Sequence, residues 1–193
     1  VSIPDSEGQR AALRAMSGNH RLVVTTGAAG SGKTTVLKAA KAVVDAQGRT
    51  QLLVAPTMKA AQVAGAEVGS PASSVHKLLR ENGWRWEGDD ERSWHRLSVG
   101  EMDPATGKPW AGVPEAYRLT AQTQLVVDEA GMLSQETAHK LLVLAHEARA
   151  QVVMLGDRAQ LAAVGRGGVL DMAAKSARAV VDLDTVHRFT DPA

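Results

Sequence analysis

The sequence predicts an α/β fold, a mainly parallel sheet with helices on both faces, and three observations lead there. Short continuous apolar runs alternate with stretches of helical period, the pattern of strands buried on both faces. Polar, motif-like residues fall just past the C-terminal ends of those runs, the edge where open α/β sheets bind ligands. The first run feeds into Gly27-Ala28-Ala29-Gly30-Ser31-Gly32-Lys33-Thr34-Thr35, which fits the phosphate-cradling pattern Gly-x-x-x-x-Gly-Lys-Thr between a strand and a helix.

The elements follow in order. Ser6-Glu7-Gly8-Gln9 has the form of a capping box, with Gln9 reaching back to Ser6, and predicts a helix to about Met16 with Gly18 as its stop. Leu22 to Thr26 is the first strand. Val36, Ala40, Val43 and Val44 repeat at helical spacing up to Gly48. Gln51 to Ala55 is the second strand, followed by an alanine-rich helix from Pro56-Thr57-Met58-Lys59. Ser73 to Arg80 is read as a short helix. Gln124 to Val127 is the third strand, and Ser134 caps a helix with Ala138, Leu141, Leu142 and Ala145 on its inner face. Val152 to Leu155 is the fourth strand, Gly167 to Ala174 a short helix, and Ala179 to Leu183 the fifth strand. Residues 81–122 break the alternation. They hold Trp84, Trp86, Trp94 and Trp110, all the tryptophans in the chain, and form an irregular insertion.

With 193 residues and a 44% hydrophobic fraction, the chain is expected to form one domain with a sizeable core. The absence of cysteine excludes disulfides and thiolate metal sites. No apolar run approaches bilayer length and no signal-peptide pattern opens the chain, so a cytoplasmic protein without membrane insertion is expected. A net charge of +1 does not mark a nucleic-acid binder, so any such contact must come from local placement. The missing initial methionine suggests an excised piece of a longer protein.

The residue types in the loop suit a triphosphate. Gly27, Gly30 and Gly32 are expected at positive φ, letting the backbone N–H groups curl around an anion at a helix N-terminus. Lys33 supplies charge to the β- and γ-phosphates, and the Thr34 hydroxyl suits Mg²⁺. Asp128 and Glu129 end an apolar strand, where one carboxylate can serve the metal and the other the attacking water. Gln160 is either a polar turn residue or a γ-phosphate sensor, and Arg188 either a surface residue or a transition-state cation. Gln9 is either a helix cap or an adenine reader.

Together these motifs resemble those of a superfamily 1 DNA helicase, over nearly the whole chain. GAAGSGKTT resembles motif I, APTMKAA at Ala55 to Ala61 motif Ia, SSVHKLL at Ser73 to Leu79 motif Ib, DEAGM motif II and GDRAQL motif III. DEAG and the GD-x-x-QL pattern are similar to the RecD-like branch, which translocates 5′ to 3′. VHRF, with Phe189 after the arginine, is closer to the conjugative relaxase-helicases of the TraA and TraI type than to exonuclease-associated RecD proteins.

The resemblance implies the first RecA-like motor domain of such a helicase over residues 1–193, an ATP and Mg²⁺ site, and a second motor domain outside this chain. By position it implies Gln9 as the adenine-reading glutamine and Lys33 and Thr34 at phosphate and metal. It likewise implies Asp128 at the metal, Glu129 as base, Gln160 as γ-phosphate sensor and Arg188 as the motif IV arginine. Thr57, Lys59, Ser74 and His76 fall in motifs that line a single-stranded DNA path. A relaxase domain and conjugation machinery are the further partners it suggests. The tryptophans of the insertion either stack bases or anchor the loop. Two other classes compete, a P-loop kinase acting on a small molecule and a nucleotide-dependent switch without useful turnover.

Overall fold

A computed structural model describes residues 5–86, 93–157 and 168–183. In chain order the elements are α1 (Glu7–Ser17), β1 (Leu22–Thr26), α2 (Lys33–Ala46), β2 (Thr50–Ala55), α3 (Met58–Val68), β3 (Ala72–Ser74) and α4 (Val75–Glu81). Four two-residue strands follow, β4 (Trp84–Arg85), β5 (His95–Arg96), β6 (Met102–Asp103) and β7 (Lys108–Pro109). The chain then returns to the main layer with β8 (Thr123–Val127), α5 (Gln135–Glu147), β9 (Gln151–Gly156), α6 (Val169–Ser176) and β10 (Ala179–Asp182).

Six strands form one sheet in the order β10-β1-β9-β8-β2-β3, and every pairing is parallel. Alternation along each strand divides the core into two layers. Val23, Leu53, Val126, Val153 and Leu155 pack beneath α1, α2 and α3, through Ala12, Met16, Val36, Leu37, Ala40 and Ala61. Val24, Val54, Leu125, Val127 and Met154 pack beneath α4, α5 and α6, through Leu78, Leu141, Ala145 and Leu170. The expected architecture of a parallel sheet covered on both faces is therefore observed.

The main sheet has one more strand than the five expected. Ser73 and Ser74 belong to β3 rather than to a helix, and α4 starts at Val75 with Ser74 as N-cap, its Oγ accepting from Lys77 N at 3.2 Å. Leu53 N donates to Pro71 O at 2.9 Å, which draws this polar segment onto the edge of β2. Tertiary pairing, not apolar content, makes it a strand.

The N-terminal edge of the sheet is held by three glutamines in register, Gln51 opposite Gln124 and Gln124 opposite Gln151. Gln51 Nε2 donates to Gln124 Oε1 at 2.8 Å. Gln124 Nε2 donates to Gln151 Oε1 at 2.8 Å and to Met16 O at 2.7 Å. Gln151 Nε2 donates to the carbonyls of Gly18 and His20. All three are buried, and each amide finds partners, so the network closes the bottom of β2, β8 and β9 and ties the end of α1 to it.

Between α4 and β8 the chain forms two small antiparallel pairs, β4 with β5 and β6 with β7. Arg85 and Asp103 join them. Arg85 Nε and Nη2 donate to the two carboxylate oxygens at 2.9 and 2.7 Å, and Nη1 donates to the carbonyls of Arg80 and Trp84. The Arg85 guanidinium is the main reason that the Asp103 carboxyl is held well below the usual carboxylate range. Trp84 and Trp94 pack on the layer of α4 and α5, with Lys140 Nζ 5.2 Å from the Trp84 ring centroid and Arg96 paired to Glu147 at 2.6 Å. Anchoring of the segment is thus the role visible for these two tryptophans.

Replacing Gln124 by Leu strands the Gln51 amide and the Met16 carbonyl, and is expected to lower stability by about 1–3 kcal/mol in urea unfolding. Asp103→Asn breaks a buried pair and is expected to cost roughly 3–5 kcal/mol, read as lost hydrogen-exchange protection in β4 to β7. Because the folded carboxyl titrates lower than the unfolded one, the wild-type contribution is complete above the ordinary carboxylate pKa. It disappears only as pH falls through the lower folded value.

Candidate nucleotide-binding site

β1 ends at Thr26, and the loop that follows is locked to its neighbours by backbone. Gly27 N donates to Gly156 O at 3.1 Å, and Leu183 N donates to Thr26 O at 2.8 Å. Gly30 and Gly32 take φ values of 83° and 88°, the left-handed region expected of them. Gly27 does not, and its expected positive φ is corrected. Glycine is required there for close approach instead, since a Cβ would lie 2.4 Å from Ser31 Oγ and 3.0 Å from Leu183 Cβ. Ala28, Ala29 and Gly30 are exposed, while Ser31, Gly32, Lys33, Thr34 and Thr35 are half-buried where α2 begins.

Gln9 reaches this loop. Its Nε2 donates to Ser31 O at 3.1 Å and sits where a Cβ on Gly32 would fall, 2.3 Å away. The capping box is present in part. Ser6 Oγ accepts from Gln9 N at 3.1 Å, but Gln9 Oε1 accepts from Asp5 N, not from Ser6 N as expected. Gln9 therefore braces the loop while its own N–H is held by the Ser6 cap, and the loop contact is one that spacing along the chain does not reveal.

Lys33 Nζ arches over the loop, donating to Gly27 O at 2.5 Å and Ala28 O at 3.1 Å. Asp128 follows β8, and its Oδ1 accepts from Glu129 N at 2.9 Å. Burial raises the Asp128 carboxyl from its ordinary pKa. The Glu129 N–H and the nearby Lys33 charge oppose the rise, and Glu67 adds to it. Lys33 and Asp128 thus lie within electrostatic reach at one sheet edge. Glu129 is exposed with φ 51° and ψ 36°, a left-handed backbone unusual for a residue other than glycine.

The site fits a nucleotide with a divalent cation. Ser31 Oγ is buried with no hydrogen-bond partner among the described residues, inside a cradle that a Cβ on Gly27 would fill. Among the described residues, no group of three or more His, Asp or Glu side chains could hold a metal by itself. Thr34 and Asp128 would offer hard oxygen donors to such a cation, the donor type that Mg²⁺ takes.

Residues 5–193 match the AAA domain family.

The chain belongs to the AAA domain family.

Over 183 residues this AAA domain is 34% identical to the ATP-dependent RecD2 DNA helicase of Deinococcus radiodurans, covering 95% of the chain and 22% of that protein. It is 27% identical to the probable conjugal transfer protein TraA of Sinorhizobium fredii and to the conjugal transfer protein TraA of Agrobacterium fabrum, covering 95% of the chain and 14% of each. The chain thus spans less than a quarter of these relatives. Among solved structures, it superposes on a Pif1 helicase from a study of unwinding at forked duplex DNA, with TM-score 0.54 and 21% identity over 99% of the chain and 46% of that one. A bacteriophage large terminase gives TM-score 0.50 at 12% identity over 93% of the chain and 46% of that one. These two establish the fold. The family uses nucleotide.

The remaining expected residues divide by place. Thr57 caps α3, its Oγ1 accepting from Ala60 N at 3.2 Å, and Ser74 caps α4. Each hydroxyl accepts in its cap and still carries a proton to donate. Lys59 is exposed on the first turn of α3. His76 sits in an aromatic cluster, with ring centroids 5.3 Å from Trp86 and 6.4 Å from Trp94. Gln160 and Arg188 lie outside the described residues. Sequence reasoning missed Glu67, whose Oε2 is 3.5 Å from Thr34 Oγ1 although the residues are 33 positions apart.

Gly32→Ala within this AAA domain is expected to cost about 1–2 kcal/mol through the left-handed backbone and to displace Gln9. The thermal shift produced by ADP should vanish with it. Gly48→Ala carries the same backbone penalty, at φ 69° with open space around it, and should keep the shift.

Proposed function

We propose that this chain is the ATP-hydrolysing motor domain of a 5′-to-3′ DNA helicase, working with a second RecA-like domain in a longer protein. The carrying observation is that the glycine loop with Lys33 and the acids Asp128 and Glu129 leave the same C-terminal edge of a parallel sheet, with Lys33 in electrostatic reach of Asp128. In this reading the loop N–H groups and Lys33 hold the ATP phosphates. Thr34 and Asp128 would hold Mg²⁺, which when bound draws charge from the β- and γ-phosphate oxygens. Glu129 orients a water and takes its proton. Gln9 contacts the adenine edge while bracing the loop, Gln160 senses the γ-phosphate, and Arg188 neutralises charge on the transferred group.

Thr57, Lys59, Ser74 and His76 line the single-stranded DNA path. The cap hydroxyls of Thr57 and Ser74 support this, since both stand at C-terminal strand ends with a proton available to phosphate. The TraA relatives support a place in a conjugative relaxase acting in the cytoplasm, joined to a relaxase domain and the transfer machinery. No helix among the described residues is long and apolar enough to cross a membrane. A repair-type helicase is the second reading, favoured by the 34% identity to RecD2.

In the full-length protein, single-stranded DNA is expected to stimulate ATP turnover. Phosphate appearing on a metabolite without DNA stimulation would instead mark a kinase, and nucleotide binding without turnover a switch. Glu129→Gln should bind ATP normally and hydrolyse it about 10²- to 10⁴-fold more slowly. Lys33→Ala should weaken ATP far more than DNA, measured by separate titrations. Equal losses, or a Glu129→Gln enzyme of undiminished rate, would count against the assignment.

A further inference from the structure

Thr34 opens α2 with its Oγ1 donating toward Glu67 Oε2 on α3, at 3.5 Å. That is the outer limit of a hydroxyl–carboxylate contact. Glu67 is exposed on a flexible side chain, so closing the gap needs no backbone movement. A hydroxyl has one proton and two lone pairs. If its oxygen is to serve a cation, the proton must point elsewhere, and the group that receives it fixes where the lone pairs aim. Outer-shell carboxylates fill this role at metal sites and raise the donor strength of the ligand they hold. Glu67 also lies close enough for its charge to act on Asp128, so it faces the metal side of the site from a third element.

We propose that Glu67 is a positioning residue for the divalent cation that accompanies the nucleotide, its carboxylate holding the Thr34 hydroxyl proton so that the oxygen faces the ion. The inference rests on the nucleotide reading above and extends it to a residue outside every motif found in the sequence. A bare surface carboxylate beside a triphosphate would act differently. It would repel nucleotide whether or not a cation is bound, and its removal would tighten both states alike.

The sign of the effect gives the test. ADP binding to the full-length protein is measured by calorimetry, once with Mg²⁺ and once with EDTA, for wild type and Glu67→Gln. Glu67→Gln should bind ADP in EDTA as well as wild type or better, yet lose about tenfold of the gain that Mg²⁺ brings. Glu67→Asp, with a shorter arm, should fall between. In a Thr34→Val background the Glu67→Gln effect on the Mg²⁺ gain should shrink towards nothing, which a role through folding would not produce. An unchanged Mg²⁺ gain in Glu67→Gln, or equal tightening with and without Mg²⁺, overturns the role of Glu67. A wild type whose ADP affinity ignores Mg²⁺ overturns the nucleotide–metal reading itself.

Discussion

Parallel register across β1, β9 and β8 is the constraint on which the site depends. Thr26 stands opposite Gly156, and Val127 stands opposite Met154. The chain therefore leaves β1 and β8 on the same edge with β9 between them, two strand spacings apart, roughly 10 Å. An antiparallel pairing would put the two exits on opposite edges. Gly156 keeps this junction closed, because a Cβ there would lie 2.2 Å from Leu170 Cδ1, while its carbonyl holds Gly27 N. The glycine loop and Asp128 share one edge because the two faces of this sheet are both apolar and both covered. The core layers and the glutamine network below fix the register, and the register fixes the edge.

Much of this was legible because the signals were local. The β-branched run before Gly27, the helical period after Lys33 and the acids after Val127 each describe their own neighbourhood. Ser134 as an N-cap is of the same kind, and its Oγ accepts from Thr137 N at 3.1 Å. What escaped depends on partners distant in sequence. β3 has no apolar run and exists because β2 offers an edge. Gln51, Gln124 and Gln151 form a network only after three strands align. The positive φ expected of Gly27 was inferred from a loop pattern, but the pattern cannot distinguish a glycine needed for its backbone from one needed for its missing Cβ. Gln9 reads equally well as a cap and as a functional residue from sequence, and in the structure its amide holds Asp5 N with its oxygen and Ser31 O with its nitrogen.

The helix α3 draws the two halves of the edge together. Its N-cap is Thr57, at the end of β2, and Lys59 is on its first turn, while Glu67 on its last turn reaches Thr34 on α2. The end near Glu67 is fixed against the sheet. Gly65 lies so close to Ala72 that a Cβ would come within 2.5 Å of it, and both Gly69 N and Ser70 N donate to Gly65 O. An 11-residue helix without proline moves as one body. A displacement of the Thr57 end must therefore be taken up either in the β2–α3 turn at Pro56 or at the packed contacts of Gly65. The first leaves Glu67 in place, and the second carries it away from Thr34. The close approach of Gly65 to Ala72 and the two hydrogen bonds to its carbonyl resist sliding, since a packed interior leaves little free space. One helix, α3, thus carries both the cap hydroxyl of Thr57 at its first turn and, at its last, the carboxylate that contacts Thr34.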